Sequence, residues 1–296
     1  MIIVKTNFIK KIKILFLLLL FVNAESQASN KYFFWEVSTD SSKVYLFGSI
    51  HIGSKDWYPF EKYIEDAFDE SEILATEIDL KTIEADATNA MKRGIAIDSI
   101  PLEKKLKPDN YKFVQSNLLK MGFPQMAIDR LRPWFVAVTI QEQMMNSKGK
   151  YDAFSGVDLY FSQKAEEEEK QTMGLEEIDF QLSLLERIDE FADEFIESII
   201  SENQDDKSMD TLVIAWQNGE DNIIDEMINR GYESENLTNL FDEIIFKRNE
   251  TMAIKISELL AKKEKVFIVI GAGHLVGDRS VIKELEKLGK YKIKRM

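Results

Sequence analysis

The sequence predicts an α/β protein with a central mixed sheet, built from two α/β halves with a large helical insert between them. Two short apolar runs, 44–47 and 266–270, each end at a glycine and are typical of strands buried on both faces. The stretch between the halves, about residues 82–248, is charged and has the apolar spacing of amphipathic helices. Each apolar run leads into Gly-x-x-His, and these motifs hold the chain's only two histidines, His51 and His274.

The first 24 residues predict a secretory signal peptide. Four lysines precede a nine-residue apolar core at 14–22, and the small residues Asn23 and Ala24 follow it. The core is shorter than the roughly 20 apolar residues that span a bilayer. We expect cleavage after Ala24, or alternatively after Ala28. Residues 25–296 would then form one exported domain, periplasmic or secreted, with no stable membrane anchor in the mature chain.

Composition limits the class of protein and its partners. The chain has no cysteine, which excludes a small scaffold held by disulfides, and 45% apolar residues supply a core instead. The formal net charge is −14, and the four lysines of the signal region make the remainder more acidic still. This charge argues against nucleic acid or anionic lipid as a partner and only weakly favours cationic ligands such as metal ions. Nothing in the composition fixes the oligomeric state.

The elements follow from local patterns in chain order. A hairpin, a Gly-x-x-His motif, a helix and a third strand open the chain, and this order predicts a parallel strand pair with a crossover helix. The final part returns to alternating helix and strand after the insert. The predicted strands are 31–38, the run from Val44, 71–80, a short strand at 172–176, 266–270 and 291–294. The predicted helices are 59–70, 107–120, 133–146, 157–168, 180–202, 207–216, 222–230, 248–263 and 280–288.

Three residues at predicted strand ends form the candidate site. In α/β sheets ligands bind outside the carboxyl ends of the strands, where His51, His274 and Glu77 are expected to converge on one cleft. A carboxylate in a buried apolar run is costly unless it is paired, hydrogen-bonded or bound to metal. Asp79 shares the face of Glu77 if the strand is regular, or else begins the next helix.

Two chemistries fit these three residues. Two imidazoles and one carboxylate are a familiar ligand set for Zn²⁺, Mn²⁺, Co²⁺ or Fe²⁺, which would activate a bound water. The same residues also fit hydrolysis without metal, with one histidine as general base and Glu77 orienting it. The chain has no His-Glu-x-x-His helix, no complete dinucleotide fingerprint around Gly271-Ala272-Gly273 and no Gly-x-Ser-x-Gly elbow, which argues against the enzyme classes that those motifs mark.

The motifs together resemble the TraB/GumN/Tiki family, and the matches cover essentially all of the chain after the signal region. Both Gly-x-x-His motifs in strand context, with the glutamate strand between them and in this order, are specific, although each motif alone is weak. The matching segments are Tyr45 to Gly53, Ala67-Phe68 to Glu77-Ile78-Asp79, Gly156 to Phe161, Gly174-Leu175-Glu176, Arg248-Asn249 and Ile270 to Gly277.

The resemblance implies a core shared with erythromycin-esterase-like and ChaN-like proteins. Tiki members are metal-dependent proteases that trim the amino terminus of a secreted protein with Mn²⁺ or Co²⁺, whereas TraB relatives damp peptide pheromone signalling. Carried over, the family's histidines fall on His51 and His274, its glutamate on Glu77 and its arginine on Arg248.

The resulting hypothesis is a hydrolase dependent on Mn, Co or Zn, which cuts a peptide or a protein chain end. The alternatives are a binding protein that sequesters a peptide or haem-type ligand, and a metal-independent, esterase-like hydrolase. Arg248 is expected either to bind a carboxylate or oxyanion of the substrate or to form a structural ion pair. Glu176 is a weaker candidate, as a partner that holds a histidine tautomer, and no role is assigned to Asp158.

Overall fold

The protein is described by a computed structural model that covers residues 31–98, 100–147, 150–202, 208–230 and 238–296. The predicted signal peptide, 1–24, lies outside the described residues, so its cleavage and the export of the chain stay predictions. Within the described ranges, no helix is both long enough and apolar enough to cross a membrane.

A single six-stranded mixed sheet in the order β4-β3-β5-β2-β1-β6 confirms the predicted fold class. The four strands from β4 to β2 run parallel, while β1 pairs antiparallel with both β2 and β6. Strands from before and after the helical insert therefore share one sheet, and β4 comes from within the insert. The strands are β1 (Phe34–Ser38), β2 (Lys43–Ser49), β3 (Ile73–Thr76), β4 (Gln171–Gly174), β5 (Val266–Gly271) and β6 (Lys292–Arg295).

Most helices of the described residues belong to the insert, and the others alternate with the strands before and after it. They are α1 (Lys62–Asp69), α2 (Ile83–Arg93), α3 (Pro108–Lys120), α4 (Gln125–Ile128), α5 (Pro133–Ser147), α6 (Val157–Glu167), α7 (Ile178–Glu186), α8 (Ala192–Glu202), α9 (Ser208–Asn218), α10 (Asp221–Arg230), α11 (Thr238–Phe241), α12 (Lys247–Lys262) and α13 (Val281–Leu288). The insert has an apolar core of its own, around Leu118, Val136, Ile140 and Ile196, separate from the core on the sheet.

The two strands that carry the Gly-x-x-His motifs are neighbours in the middle of the sheet. All six residues from Val44 to Ser49 are buried, as are the first five residues of β5. The strands pair in parallel with Ser49 opposite Gly271, so both motifs leave the sheet at the same level. A side chain at Gly48 would place its Cβ 2.6 Å from the Cβ of Phe33, which explains the glycine at this tightly packed point.

Two predicted elements differ from the structure. The strand predicted at 71–80 ends at Thr76, and β5 lies between β2 and β3, so Glu77 follows a strand that neighbours the strand of His274 and not that of His51. Asp79 is thus not on a continuing strand; its carboxylate accepts a hydrogen bond from Lys81 N at 3.1 Å, at the start of a helical turn. The helix predicted at 180–202 is two helices, α7 and α8, joined by a 3₁₀ turn at Arg187–Phe191.

At the break between α7 and α8, one side chain of the turn binds the start of another helix of the insert. Asp189, in the 3₁₀ turn, accepts hydrogen bonds from Arg132 Nε at 2.9 Å and from Trp134 N at 2.8 Å. Its carboxylate therefore satisfies an unpaired backbone N–H at the start of α5. Apolar periodicity alone does not reveal such a long-range cap, and a continuous helix was the wrong prediction for this reason.

Candidate functional site

Four acidic or imidazole side chains follow the carboxyl ends of the four parallel strands. His51 lies two residues after β2 and Glu77 directly follows β3, while His274 closes a 3₁₀ turn (Ala272–His274) after β5. Glu176 comes two residues after β4. Because these strands are parallel neighbours, all four residues lie along one edge of the sheet, where α/β proteins bind ligands.

His274 is buried and is held from one side by an asparagine. Its side chain is 6% exposed, and its Nδ1 lies 2.6 Å from Oδ1 of Asn249 in helix α12. Burial lowers the pKa of His274 to about 4, so the imidazole is neutral at pH 7. The other nitrogen, Nε2, lies 3.8 Å from Glu77 Oε1, which is beyond hydrogen-bond distance.

Glu77 is held by donors on both carboxylate oxygens. Oε1 accepts a hydrogen bond from Gly271 N at 2.8 Å, and Oε2 accepts from Arg248 Nη2 and, at 3.2 Å, from Gln181 Nε2. Burial raises the pKa of Glu77, but the charges of His274, Arg248 and His51 and the Gly271 N–H outweigh it and hold the pKa well below its usual range. Since His274 is neutral at pH 7, Arg248, the charge of His51 and the Gly271 N–H keep Glu77 ionised there.

Gly271 has a specific reason to be glycine. A Cβ at this position would stand 3.2 Å from Glu77 Oε1 and crowd the carboxylate that the backbone N–H of Gly271 binds. The glycine that ends the second motif strand thus places a backbone donor against the site.

Arg248 joins Glu77 to Glu176 in a buried ion pair. Its Nε lies 3.0 and 2.9 Å from the two oxygens of Glu176, its Nη2 contacts both Glu176 and Glu77, and its Nη1 donates to Ile244 O at 3.1 Å. This is the structural ion pair among the two roles expected for Arg248, and its binding of substrate stays a prediction. Glu176 does not hold a histidine, contrary to expectation, because Asn249 occupies that position on His274.

His51, unlike the buried His274, is exposed to solvent and is held by a carboxylate. Its side chain is 70% exposed, and its Nδ1 lies 3.0 Å from Asp158 Oδ2, whose other oxygen accepts from Ser49 Oγ at 2.8 Å. The charge and hydrogen bond of Asp158 raise the pKa of His51 to about 9, although solvent screens an imidazole this exposed. Asp158 lies in the first turn of α6, and Gly156 lets that helix start close to the backbone of His51.

Sequence reasoning missed Asn249 as a functional residue, and it assigned no role to Asp158 and none to Gln181. The signal for Asn249 was present, because it occupies the apolar stripe of α12 with Met252, Ala253 and Ile256, all fully buried. A polar residue on a buried helical stripe needs a partner. The signal for Asp158 was only its place beside a glycine at a helix start, and Gln181 offered none.

A divalent metal fits part of this arrangement. Within the described ranges, no three His, Cys, Asp or Glu side chains are arranged to hold a metal ion together. However, His274 Nε2 and Glu77 Oε1 face each other as two electron-pair donors, which fits a cation that completes its coordination with water or substrate. The inclusion of His51 in the same metal site stays a prediction.

Comparison with known proteins identifies the family. The sequence model of the TraB/PrgY/gumN family matches residues 33–295, so the chain belongs to the TraB/PrgY/gumN family. Metalloprotease TIKI1 of Xenopus tropicalis is 25% identical, over 90% of this chain and 62% of that protein. Metalloprotease TIKI1 of Danio rerio is 24% identical, over 87% of this chain and 62% of that protein.

A third relative, an uncharacterized protein of Treponema pallidum (strain Nichols), is 24% identical over 51% of this chain and 46% of its own length. The chain thus spans about half to three fifths of the length of these curated relatives. No solved structure matches it.

Proposed function

We propose that this TraB/PrgY/gumN family member is an exported, metal-dependent hydrolase that cleaves a peptide bond in a peptide or an exposed protein chain end. His274 and Glu77 hold the ion, and His51 would join them as a third ligand by moving from the position that it has beside Asp158. Mn²⁺, Co²⁺ and Zn²⁺ are the candidate ions. The relatives described as metalloproteases support the reaction class.

One observation carries this proposal: His274 Nε2 and Glu77 Oε1, both on buried side chains, face each other at 3.8 Å. The lowered pKa of each group makes the ring neutral and the carboxylate ionised at pH 7. Two acceptors that face each other lack the proton that would join them, and a cation between them would satisfy both. The surrounding charge favours a cation as well. The buried cluster holds two carboxylates, Glu77 and Glu176, against one guanidinium, Arg248, so one negative charge has no partner within it.

A bound divalent ion would lower the pKa of a water molecule and polarise a substrate carbonyl. The chain's own residues prepare this site. Asn249 and Asp158 each hold one ring nitrogen of a histidine, which leaves both Nε2 atoms for binding. Arg248 fixes Glu77 by one oxygen, and the Gly271 N–H holds the other.

A second candidate, hydrolysis without metal, has one observation in its favour. His51 is exposed and is held by the mostly buried carboxylate of Asp158, an arrangement that resembles a histidine oriented by a carboxylate for general acid–base chemistry. In this case chelation would leave activity unchanged. The non-catalytic alternative, sequestration of a peptide or haem-type ligand, predicts tight binding with no turnover under any metal.

The experiment that separates these functions is cleavage of a peptide library after chelation, with Mn²⁺, Co²⁺ and Zn²⁺ then restored one at a time. We expect no cleavage by the chelated protein and recovery with at least one ion. Glu72→Gln is the matched control for Glu77→Gln, because Glu72 lies just before the start of β3, is exposed and pairs only with Lys265 at 3.0 Å. Full activity after chelation would contradict the proposal.

A further inference from the structure

Asn249 lies on the opposite side of His274 from Glu77, and its own orientation is fixed. Its Nδ2 donates a hydrogen bond to Arg279 O at 2.7 Å. A backbone carbonyl only accepts, so the amide nitrogen must be the end that meets it, and Oδ1 is the end that meets His274 Nδ1 at 2.6 Å. Asn249 is fully buried, so water does not compete for either contact.

His274 therefore has an acceptor beside each ring nitrogen but only one N–H to donate. The amide oxygen of Asn249 is at 2.6 Å and the carboxylate oxygen of Glu77 is at 3.8 Å. A carboxylate is the stronger acceptor when both are within reach. Here the distances favour Asn249, and the neutral ring carries its proton on Nδ1.

We propose that Asn249 is a positioning residue that selects the Nδ1–H tautomer of His274 and so keeps Nε2 as a free electron pair beside Glu77. In the other tautomer, Nε2–H would donate to the Glu77 carboxylate and close the space between them. The tautomer is a property of the metal-free protein; its consequence for metal binding rests on the proposed function.

The position of Asn249 in the chain strengthens this inference. Arg248 and Asn249 are consecutive residues in the first turn of α12, and the two hold the two members of the facing pair. Arg248 binds the Glu77 carboxylate, and Asn249 binds the His274 ring. One helix start thus fixes both groups and the gap that separates them.

The test is ¹⁵N NMR of the imidazole nitrogens in the metal-free protein, because a chain with two histidines gives two readily assigned rings. We expect His274 of the unaltered protein at pH 7 to be neutral with its proton on Nδ1. Asn249→Leu keeps the volume but removes the acceptor, and should shift His274 towards the Nε2–H tautomer. Asn249→Asp keeps an acceptor and should retain Nδ1–H. His51, held by Asp158, is the internal reference and should not change.

A wild-type His274 with its proton on Nε2 would overturn the proposal without any variant, and so would an unchanged tautomer in Asn249→Leu. If Asn249→Leu does not fold, Asn249→Ala makes the same comparison. Titration with Mn²⁺ alone gives a second readout: affinity should fall roughly 10–100-fold in Asn249→Leu, as for other residues that orient metal ligands. A protein with the expected tautomer that binds none of Mn²⁺, Co²⁺ and Zn²⁺ would refute metal dependence and still support the role of Asn249.

Discussion

The two Gly-x-x-His motifs differ far more in their surroundings than in their sequence. Both follow central, parallel, paired strands, with Ser49 opposite Gly271. Yet the side chain of His51 is 70% exposed and is held by a carboxylate, whereas that of His274 is 6% exposed and is held by an amide. The first pKa is raised to about 9 and the second is lowered to about 4. Each strand places its ring at the sheet edge, but the surroundings set its charge: the Asp158 carboxylate for His51 and burial for His274.

The largest expected effect comes from removing either ring. His274→Ala should abolish metal-dependent cleavage and most metal binding, because it removes the buried donor and leaves Glu77 with no facing partner. His51→Ala should reduce both by a smaller factor, since that ring is exposed and lies at the mouth of the site. Cleavage rate and metal affinity, measured on the same preparations, check the order. A greater loss of metal affinity in His51→Ala than in His274→Ala would contradict the expected order of the two histidines.

The next largest expected effect is a pH dependence of metal affinity that comes from His51 and not from His274. A protonated imidazole does not bind metal, and each bound ion must displace the proton of His51. With the pKa of His51 raised and that of His274 lowered, His51 alone sets the pH dependence between pH 6 and 8. Metal affinity should therefore rise with pH across this window, by up to about tenfold per unit. His51→Ala should flatten the profile, and an unchanged slope in that variant would contradict the assignment.

The smallest effect concerns one carboxylate. Asp158→Asn removes the charge that raises the pKa of His51 but keeps a hydrogen-bonding group of the same size. The pKa should fall towards the ordinary histidine value of about 6.5, while that of His274 stays low. Proton NMR titration of the two rings measures both values at once. A His51 pKa that stays raised in Asp158→Asn would show that another group supplies the effect.

The sequence predicted the sheet and the strand ends because these depend on local patterns. Buried runs bounded by glycine mark β2 and β5, and these runs alone predicted that each histidine follows the end of a strand. The insertion of β5 between β2 and β3 was not predictable from the sequence, since strand order depends on contacts between residues nearly 200 positions apart, such as Gly271 N with Glu77 Oε1. The sequence therefore predicted a pairing of β3 with β2, whereas β3 pairs with β5.

The pKa shifts and ion pairs of the site were not predictable from the sequence either, because they too depend on contacts between distant residues. The pKa difference between the histidines depends on the carboxylate of Asp158, which raises the pKa of His51, and on the burial of His274, which lowers the other. Arg248 was recognised through the family resemblance, but its engagement with both Glu176 and Glu77 was not. A carboxylate or amide at a helix start has many potential partners, and only the packing of the helices on the sheet edge selects one.

The central claim is that His274 and Glu77 form a cation site, and Mn²⁺ binding to the metal-free protein tests it most directly. Calorimetric titration at pH 8 should give one ion per chain for the unaltered protein and for Glu72→Gln. Glu77→Gln keeps the side-chain volume but replaces a charged donor with a neutral one, and should weaken binding by more than the roughly 10–100-fold typical of an orienting residue. Equal affinity in Glu77→Gln and Glu72→Gln, or no binding by the unaltered protein, would contradict the account.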